Sequence, residues 1–200
     1  METWYTADLH LGHANVIGYC GRPFDAVEEM DADLLLSWNE MVQPDDSVWV
    51  LGDLAMGRID GSLAMAARLN GRKRLLAGNH DRVFRGGHRK SEAWMRRYEE
   101  AGFEVHHDSI TVDVAGLCVL ACHFPYVGDS GGEDRYVDRR PLDDGRSWLL
   151  HGHVHERWRQ CGRMINVGVD AWAGRPVRAD TLAGLIAAGQ GSSRPYGGVG

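Results

Sequence analysis

Lysine is nearly missing from this chain: Lys73 and Lys90 are the two it has, and arginine carries the rest of the basic charge. Acidic residues outnumber basic ones by 28 to 22, for a formal charge of −6. That balance counts against unspecific adhesion to a nucleic-acid backbone, which needs basic side chains to displace counterions. Bound cations do not enter the figure, so an acidic chain can still hold a phosphate at a metal site. Long apolar runs are missing too. The longest, Leu117–Cys122, has six residues, against roughly twenty needed to span a bilayer, so no membrane partner is expected. No charged segment followed by an apolar one opens the chain, where Trp4-Tyr5-Thr6 already reads as a strand, and a cytoplasmic protein is expected. The four cysteines, Cys20, Cys118, Cys122 and Cys161, lack C-x-x-C spacing. They read first as buried reduced thiols, with a disulfide or a zinc site as the alternative.

What is present is ordinary for a soluble globular domain: 200 residues, 44% hydrophobic and 25% charged. Residues 1–188 read as one domain and 189–200, rich in Gly and Ser, as a disordered tail. Ala26, Met30, Leu34, Leu35, Trp38 and Met41 recur at helical spacing and predict a helix over 25–42, stopped by Pro44. Shorter helices are expected over 13–19, 63–69, 91–100 and 181–188. Strands are expected over 2–7, 47–51, 72–77, 103–105, 109–114, 117–122, 148–150 and 164–169, and residues 124–146 as a long surface loop. Strands alternate with helices early and dominate later, which is the pattern of an α/β protein.

Five polar clusters each follow an apolar run: Asp8-Leu9-His10, Gly52-Asp53, Gly78-Asn79-His80-Asp81, His123, and Gly152-His153-Val154-His155. In open α/β folds ligands bind beyond the carboxyl ends of strands, so residues over a hundred apart in sequence can converge there. Asp8 and His10, like His153 and His155, are two apart, which on an extended chain points both to one face. Mixed Asp, His and Asn suit manganese, iron or zinc better than magnesium or calcium, which prefer oxygen alone. Seven such ligands are too many for one open site and suit two ions sharing a carboxylate. Trp38, Trp94 and Trp148 read as core, and His88, His106, His107 and His151 as structural or exposed.

In this order the clusters resemble the calcineurin-like metallophosphoesterase superfamily, whose pattern is Asp-x-His, Gly-Asp, Gly-Asn-His-Asp/Glu, His, Gly-His-x-His, here spanning residues 8–155. Gly12-His13-Ala14-Asn15 followed by Gly21-Arg22-Pro23-Phe24 is similar to a small bacterial and phage subgroup of it. The resemblance implies an α/β fold, a four-layer αββα sandwich of two mixed β-sheets flanked by helices. It implies two divalent cations, manganese first, then iron, zinc or nickel. Asp8, His10 and His155 would hold one, Asn79, His123 and His153 the other, and Asp53 would bridge them.

The implied activity is hydrolysis of a small, nucleotide-type phosphodiester or phosphomonoester, the diester favoured, by a hydroxide bridging the metals. His80 would protonate the leaving oxygen. Asp81 reads equally as the partner that orients His80 and as a turn former. His13 reads as a helix-start residue or a contact to substrate phosphate, and Arg22 as a phosphate clamp or a surface arginine. Protein Ser/Thr phosphatases carry Asp-Arg-Gly after Gly-Asp and Glu in place of Asp81; here Leu54-Ala55-Met56-Gly57 follows. Two other readings stand beside the hydrolase: a non-catalytic scaffold on the same fold, which tends to lack the His80 imidazole, and a nuclease, against which the charge and the missing basic–aromatic stripe count. Substrate, native metal and oligomeric state stay open.

Overall fold

In chain order the elements begin β1 (Thr3–Thr6), α1 (Ala14–Cys20), α2 (Val27–Met41), β2 (Ser47–Val50), α3 (Ile59–Ala66), β3 (Arg72–Leu76), α4 (Ser91–Glu100) and β4 (Phe103–His106). They continue β5 (Ser109–Val114), β6 (Leu117–Cys122), β7 (Leu149–His151), β8 (Gln160–Gly162), β9 (Met164–Asn166), β10 (Val177–Arg178), α5 (Ala179–Ala188) and β11 (Gly191–Ser192). The computed structural model describes residues 1–85, 91–131, 133–189 and 191–192. His88 and most of the expected C-terminal tail lie outside the described residues; within that tail, Gly191 and Ser192 pair with β8.

The strands form two mixed sheets, ordered β10-β1-β2-β3-β4 and β11-β8-β9-β7-β6-β5. β1 to β4 run parallel, with Tyr5 opposite Trp49 and Trp49 opposite Arg74. β6, β7 and β9 also run parallel. The two-residue period of a strand then sorts the side chains into cores. Trp4, Val48, Val50, Leu75 and Phe103 face α1 to α4 and pack with Met30, Leu34, Trp38, Leu63 and Tyr98. Tyr5, Trp49 and Leu76 face the second sheet and meet Val112, Val119, Ala121, Leu150 and Ile165. α5 closes the margin of this middle core with Leu182 and Ile186.

The architecture is thus the expected α/β sandwich of two mixed sheets. The layer over the outer face of the second sheet comes from connecting segments: Phe84, Phe124, Tyr126, Val154 and Trp158 cover Leu149, Cys161 and Met164. The segment 124–146 therefore does more than line the surface, since residues 124–126, Gly128 and Asp129 are buried. Of the thiols expected to be buried, Cys122 and Cys161 are, whereas Cys118 is exposed and Cys20 half-buried. Trp38 is core, and Trp94 and Trp148 pack against core residues.

Helix α3 begins a turn before the expected 63–69 and ends at Ala66, where Lys73 Nζ takes up the carbonyls of Ala66, Ala67 and Leu69. β8 and β10 carry too few residues to show a period, and so left no sequence signal.

Asp46 ties the start of the first sheet together. Its carboxylate accepts from Glu2 N at 2.7 Å, Gln43 N at 3.0 Å and Trp4 Nε1 at 3.1 Å. Burial works against its charge, but these three donors outweigh it and hold the carboxyl below the usual range. A depressed folded pKa adds stability above the unfolded value of about 4 and loses it as pH falls through the folded one. Asp46→Ala is expected to cost about 1.5–3 kcal/mol at pH 7, and less at pH 3, as read by urea unfolding. An equal loss at both pH values would mean that the charge contributes nothing.

Candidate metal centre

Six strand ends meet at one place. Asp8 follows β1, Asp53 follows β2, Asn79 and His80 follow β3, His123 follows β6, His153 and His155 follow β7, and Asp170 follows β9. Parallel pairing within each sheet puts these ends on the same side. A bridge between Ala7 and Gly168 joins the sheets there, and His153 N donates to Asp8 Oδ2 at 3.0 Å across the seam.

The expected extended backbone is not what aims these side chains. Among the described residues nine non-glycine positions have positive φ, and five are Asp8, His10, Asp53, His153 and His155. Each sits in the left-handed region, so Asp8 and His10 converge through two left-handed turns around buried Leu9 and not by strand alternation. Such positions cost up to about 1–3 kcal/mol, less for Asp and His, which visit the region more readily. Their clustering is the backbone signature of a functional site.

The side chains are packed acceptor to acceptor. His123 Nδ1 donates to Leu51 O at 2.8 Å, which leaves Nε2 a bare lone pair. That lone pair faces Asn79 Oδ1 at 3.0 Å and Asp53 Oδ2 at 3.5 Å. Asn79 Oδ1 also meets His153 Nδ1 at 3.0 Å. On the other side Asp53 Oδ2 lies 3.6 Å from His10 Nε2, and neither ring nitrogen of buried His10 has a hydrogen-bond partner. Orphaned buried nitrogens cost about 1–3 kcal/mol each; a cation would answer both them and the facing acceptors. Asp8, His10 and His155 offer ligand atoms within 4.8 Å of one another, as do Asp8, Asp53 and His123. The donor set fits divalent ions.

Glycines make the room. A Cβ on Gly52, where φ is 93°, would overlap the His123 ring and lie 2.8 Å from Gly78 Cα. A Cβ on Gly152 or Gly168 would come within 2.7 or 2.6 Å of Asp8 Oδ2.

Charge is polarised across the pocket. Burial would raise Asp53, but the His123 and His10 imidazoles prevail and hold it well below the carboxylate range. Burial pushes Asp8 up to about 6 against the pull of His155 and His123. Burial also lowers His10, and lowers His153 to about 4. His155 is opposite: burial lowers it, yet the Asp170 carboxylate, 3.0 Å from Nδ1, helps carry it up to about 11.

Two expectations need correction. Arg22 is no phosphate clamp. It is buried, Nε and Nη2 grip Asp170 at 2.7 and 3.0 Å, Nη1 reaches Leu9 O at 2.9 Å and Met30 Sδ, and Nη2 also reaches Asp8 O at 2.7 Å. It braces the first motif against Asp170. Asp81 does not orient His80. It is fully buried and accepts from the N–H groups of Asp53, Gly78 and Leu54 at 2.8, 2.9 and 3.1 Å. It pins two ligand-bearing turns together, which is the turn-forming reading. His80 instead is fixed by its own N–H on Asp53 Oδ1 at 2.8 Å, and its exposed ring lies 5.3 Å from that of His10. His13 stands 5.3 Å from His10 and 6.4 Å from His80, ring to ring.

The sequence reading missed Asp170 and Asp129. Gly168-Val169-Asp170 follows β9 much as Gly52-Asp53 follows β2, so a carboxylate just past a buried strand was the available signal. Asp129, 3.2 Å from His153 Nε2 and bonded to Arg135, lies in the 124–146 segment with no local pattern to mark it.

No protein-family model matches the chain. It is 38% identical over 197 residues to the gene 66 protein of Mycobacterium phage L5, covering 92% of this chain and 94% of that protein. It is 39% identical over 182 residues to the gene 66 protein of Mycobacterium phage D29, covering 86% and 89%. This chain belongs to the family of these gene 66 proteins. An uncharacterized protein of Methanocaldococcus jannaschii is 30% identical over 198 residues, 94% of this chain and 93% of that one. A solved protein of unknown function from Aquifex aeolicus shares the fold, with a TM-score of 0.70 at 24% identity over 92% of this chain and 99% of that one.

Gly52→Ala is expected to destabilise the fold by at least about 1–3 kcal/mol, through strain at positive φ and overlap at His123. Gly184→Ala, at an exposed position of α5 with nothing near its Cβ, should stabilise by up to about 1 kcal/mol. Urea midpoints compare the two, and equal midpoints would refute the crowding argument.

Proposed function

We propose that this chain is a phosphate-ester hydrolase working with two divalent cations. The single observation that carries the proposal is the set of imidazole nitrogens and side-chain oxygens crowded around Asp53: His10 Nε2 at 3.6 Å and His123 Nε2 at 3.5 Å from its carboxylate, and Asn79 Oδ1 at 3.0 Å from two imidazoles. Asp8, His10 and His155 would hold one ion, Asn79, His123 and His153 the other, and the central place of Asp53 supports its sharing both. When bound, the ions supply Lewis acidity, which acidifies water and offsets charge building on phosphoryl oxygens. Manganese is the ion we favour, with iron, zinc or nickel as substitutes, on the mixed nitrogen and oxygen donors. The resemblance of the motifs to metallophosphoesterases supports the same reaction.

The chain's own groups do the rest. Asp170 holds His155 by Nδ1 and Leu51 O holds His123 by Nδ1, so each ring presents Nε2 inward. Asp81 fixes the Asp53 and Gly78 turns relative to each other. His80, exposed at the mouth and free of side-chain partners that would hold it back, gives a proton to the leaving oxygen. His13 lies beside it and contacts the substrate phosphate. A small phosphodiester is the favoured substrate, with phosphomonoesters next. Macromolecular nucleic acid is not favoured, because the chain carries a formal charge of −6 and Arg22 is spent internally.

The test is turnover of bis-p-nitrophenyl phosphate against p-nitrophenyl phosphate with Mn²⁺ added. Turnover of neither, in protein that binds two ions, would move the assignment to a non-catalytic module. His80→Ala is expected to lower kcat by 10² or more, the usual scale for a general acid, with metal content by elemental analysis unchanged. Asp53→Asn should lose metal together with activity; two ions still bound would remove Asp53 from the shared position.

A further inference from the structure

We infer that Cys20, His155 and Asp170 form a third cation site, selective for thiophilic ions such as zinc or cadmium. Among the described residues, three sets of His, Cys, Asp and Glu place their ligand atoms within 4.8 Å of one another. Two belong to the centre described above. The third, Cys20–His155–Asp170, is the one that contains sulfur. Thiolate with imidazole and a carboxylate is a donor set for zinc or cadmium, softer than the sulfur-free sets of the front centre.

The fold builds this cluster from separate places. Cys20 ends α1, and Gly21, with φ at 61°, turns the chain so that Arg22 comes back to Asp170. Asp170 follows β9 and His155 follows β7. A cavity of about 240 Å³ opens onto Cys20, Arg22, Phe24, Leu34 and Asp170; Asp8, His10 and His155 do not line it. An ion entering there meets Cys20 and Asp170 first, and His155 Nδ1 lies 3.0 Å from Asp170 Oδ2. Zinc takes four ligands; three come from the protein, and the cavity leaves space for a water as the fourth.

The charges balance. Binding releases one proton from Cys20 Sγ and one from His155 Nδ1 to solvent; with Nε2 given to the front centre the ring is then an imidazolate, so thiolate and imidazolate offset the dication while the Asp170 carboxylate offsets the Arg22 guanidinium. Arg22 keeps Asp170 Oδ1 through Nε at 2.7 Å, while its 3.0 Å contact to Oδ2 gives way to the ion. Occupancy also breaks the 3.0 Å bond between His155 Nδ1 and Asp170 Oδ2 that orients the ring. The site therefore couples to the centre in front of it, and its occupant inhibits.

Cadmium titration tests this on the full chain in a Cys118→Ser background, which removes the exposed thiol, with Mn²⁺ present throughout. A cadmium–thiolate charge-transfer band saturating at one equivalent is expected. Cys20→Ser and Cys20→Ala should each abolish the band and one bound cadmium by equilibrium dialysis, with circular dichroism and Mn²⁺ content unchanged. A band that never appears, or that persists without Cys20, overturns the site. In turnover assays, cadmium or zinc should inhibit the Cys20→Ser protein at least ten-fold more weakly; equal inhibition overturns the coupling. The band is read without turnover, so it stands or falls separately from the hydrolase reading.

Discussion

Lone pairs packed against lone pairs are the constraint on which this molecule's architecture turns. His123, with Nδ1 committed to Leu51 O, brings a bare Nε2 to Asn79 Oδ1 and Asp53 Oδ2 in a place from which solvent is excluded. His10, buried with neither nitrogen partnered, faces the same carboxylate. In a low-dielectric interior such an arrangement is repulsive unless positive charge lies between the acceptors. A fold keeps it only when the surroundings over-determine the geometry.

Those surroundings are visible in three layers of support. Parallel strands aim their carboxyl ends at one point, and the Ala7–Gly168 bridge locks one sheet to the other beside it. Glycines at 52, 78, 152 and 168 let backbone approach Asp8, Asp53 and His123 more closely than any Cβ permits. Buried charges then hold the turns: Asp81 on three backbone N–H groups, and Arg22 with every donor spent between Asp170, Met30 and the carbonyls of Asp8 and Leu9. Removing one partner of such a buried pair strands the other, which is why these residues brace the site without facing its contents. The same bracing places Cys20 beside Asp170 and His155.

Much of this was legible in the residues. The helix over Val27–Met41 announced itself through its apolar stripe, and the strands Ser109–Val114 and Leu117–Cys122 stand where they were expected. Short strands without a period, such as Gln160–Gly162, did not. The five clusters were legible because each joins a buried run to polar side chains that no core would tolerate. Arg22 and Asp81 were misread because a charged residue beside a motif looks the same in sequence whether it faces a substrate or a backbone carbonyl.

The order of amino acids by itself determined which groups could bind cations and that they stand at strand ends, since residue type and apolar patterning are local properties. It also determined the class of fold, through the alternation of strand and helix. Three-dimensional packing alone decided which charges are spent internally, that left-handed backbone and not an extended chain aims Asp8, His10, His153 and His155, and that Asp129, Asp170 and Cys20 come within reach of the imidazoles. Those outcomes depend on contacts between residues up to 148 positions apart, as between Arg22 and Asp170, and no local pattern encodes the partner of a side chain that far away.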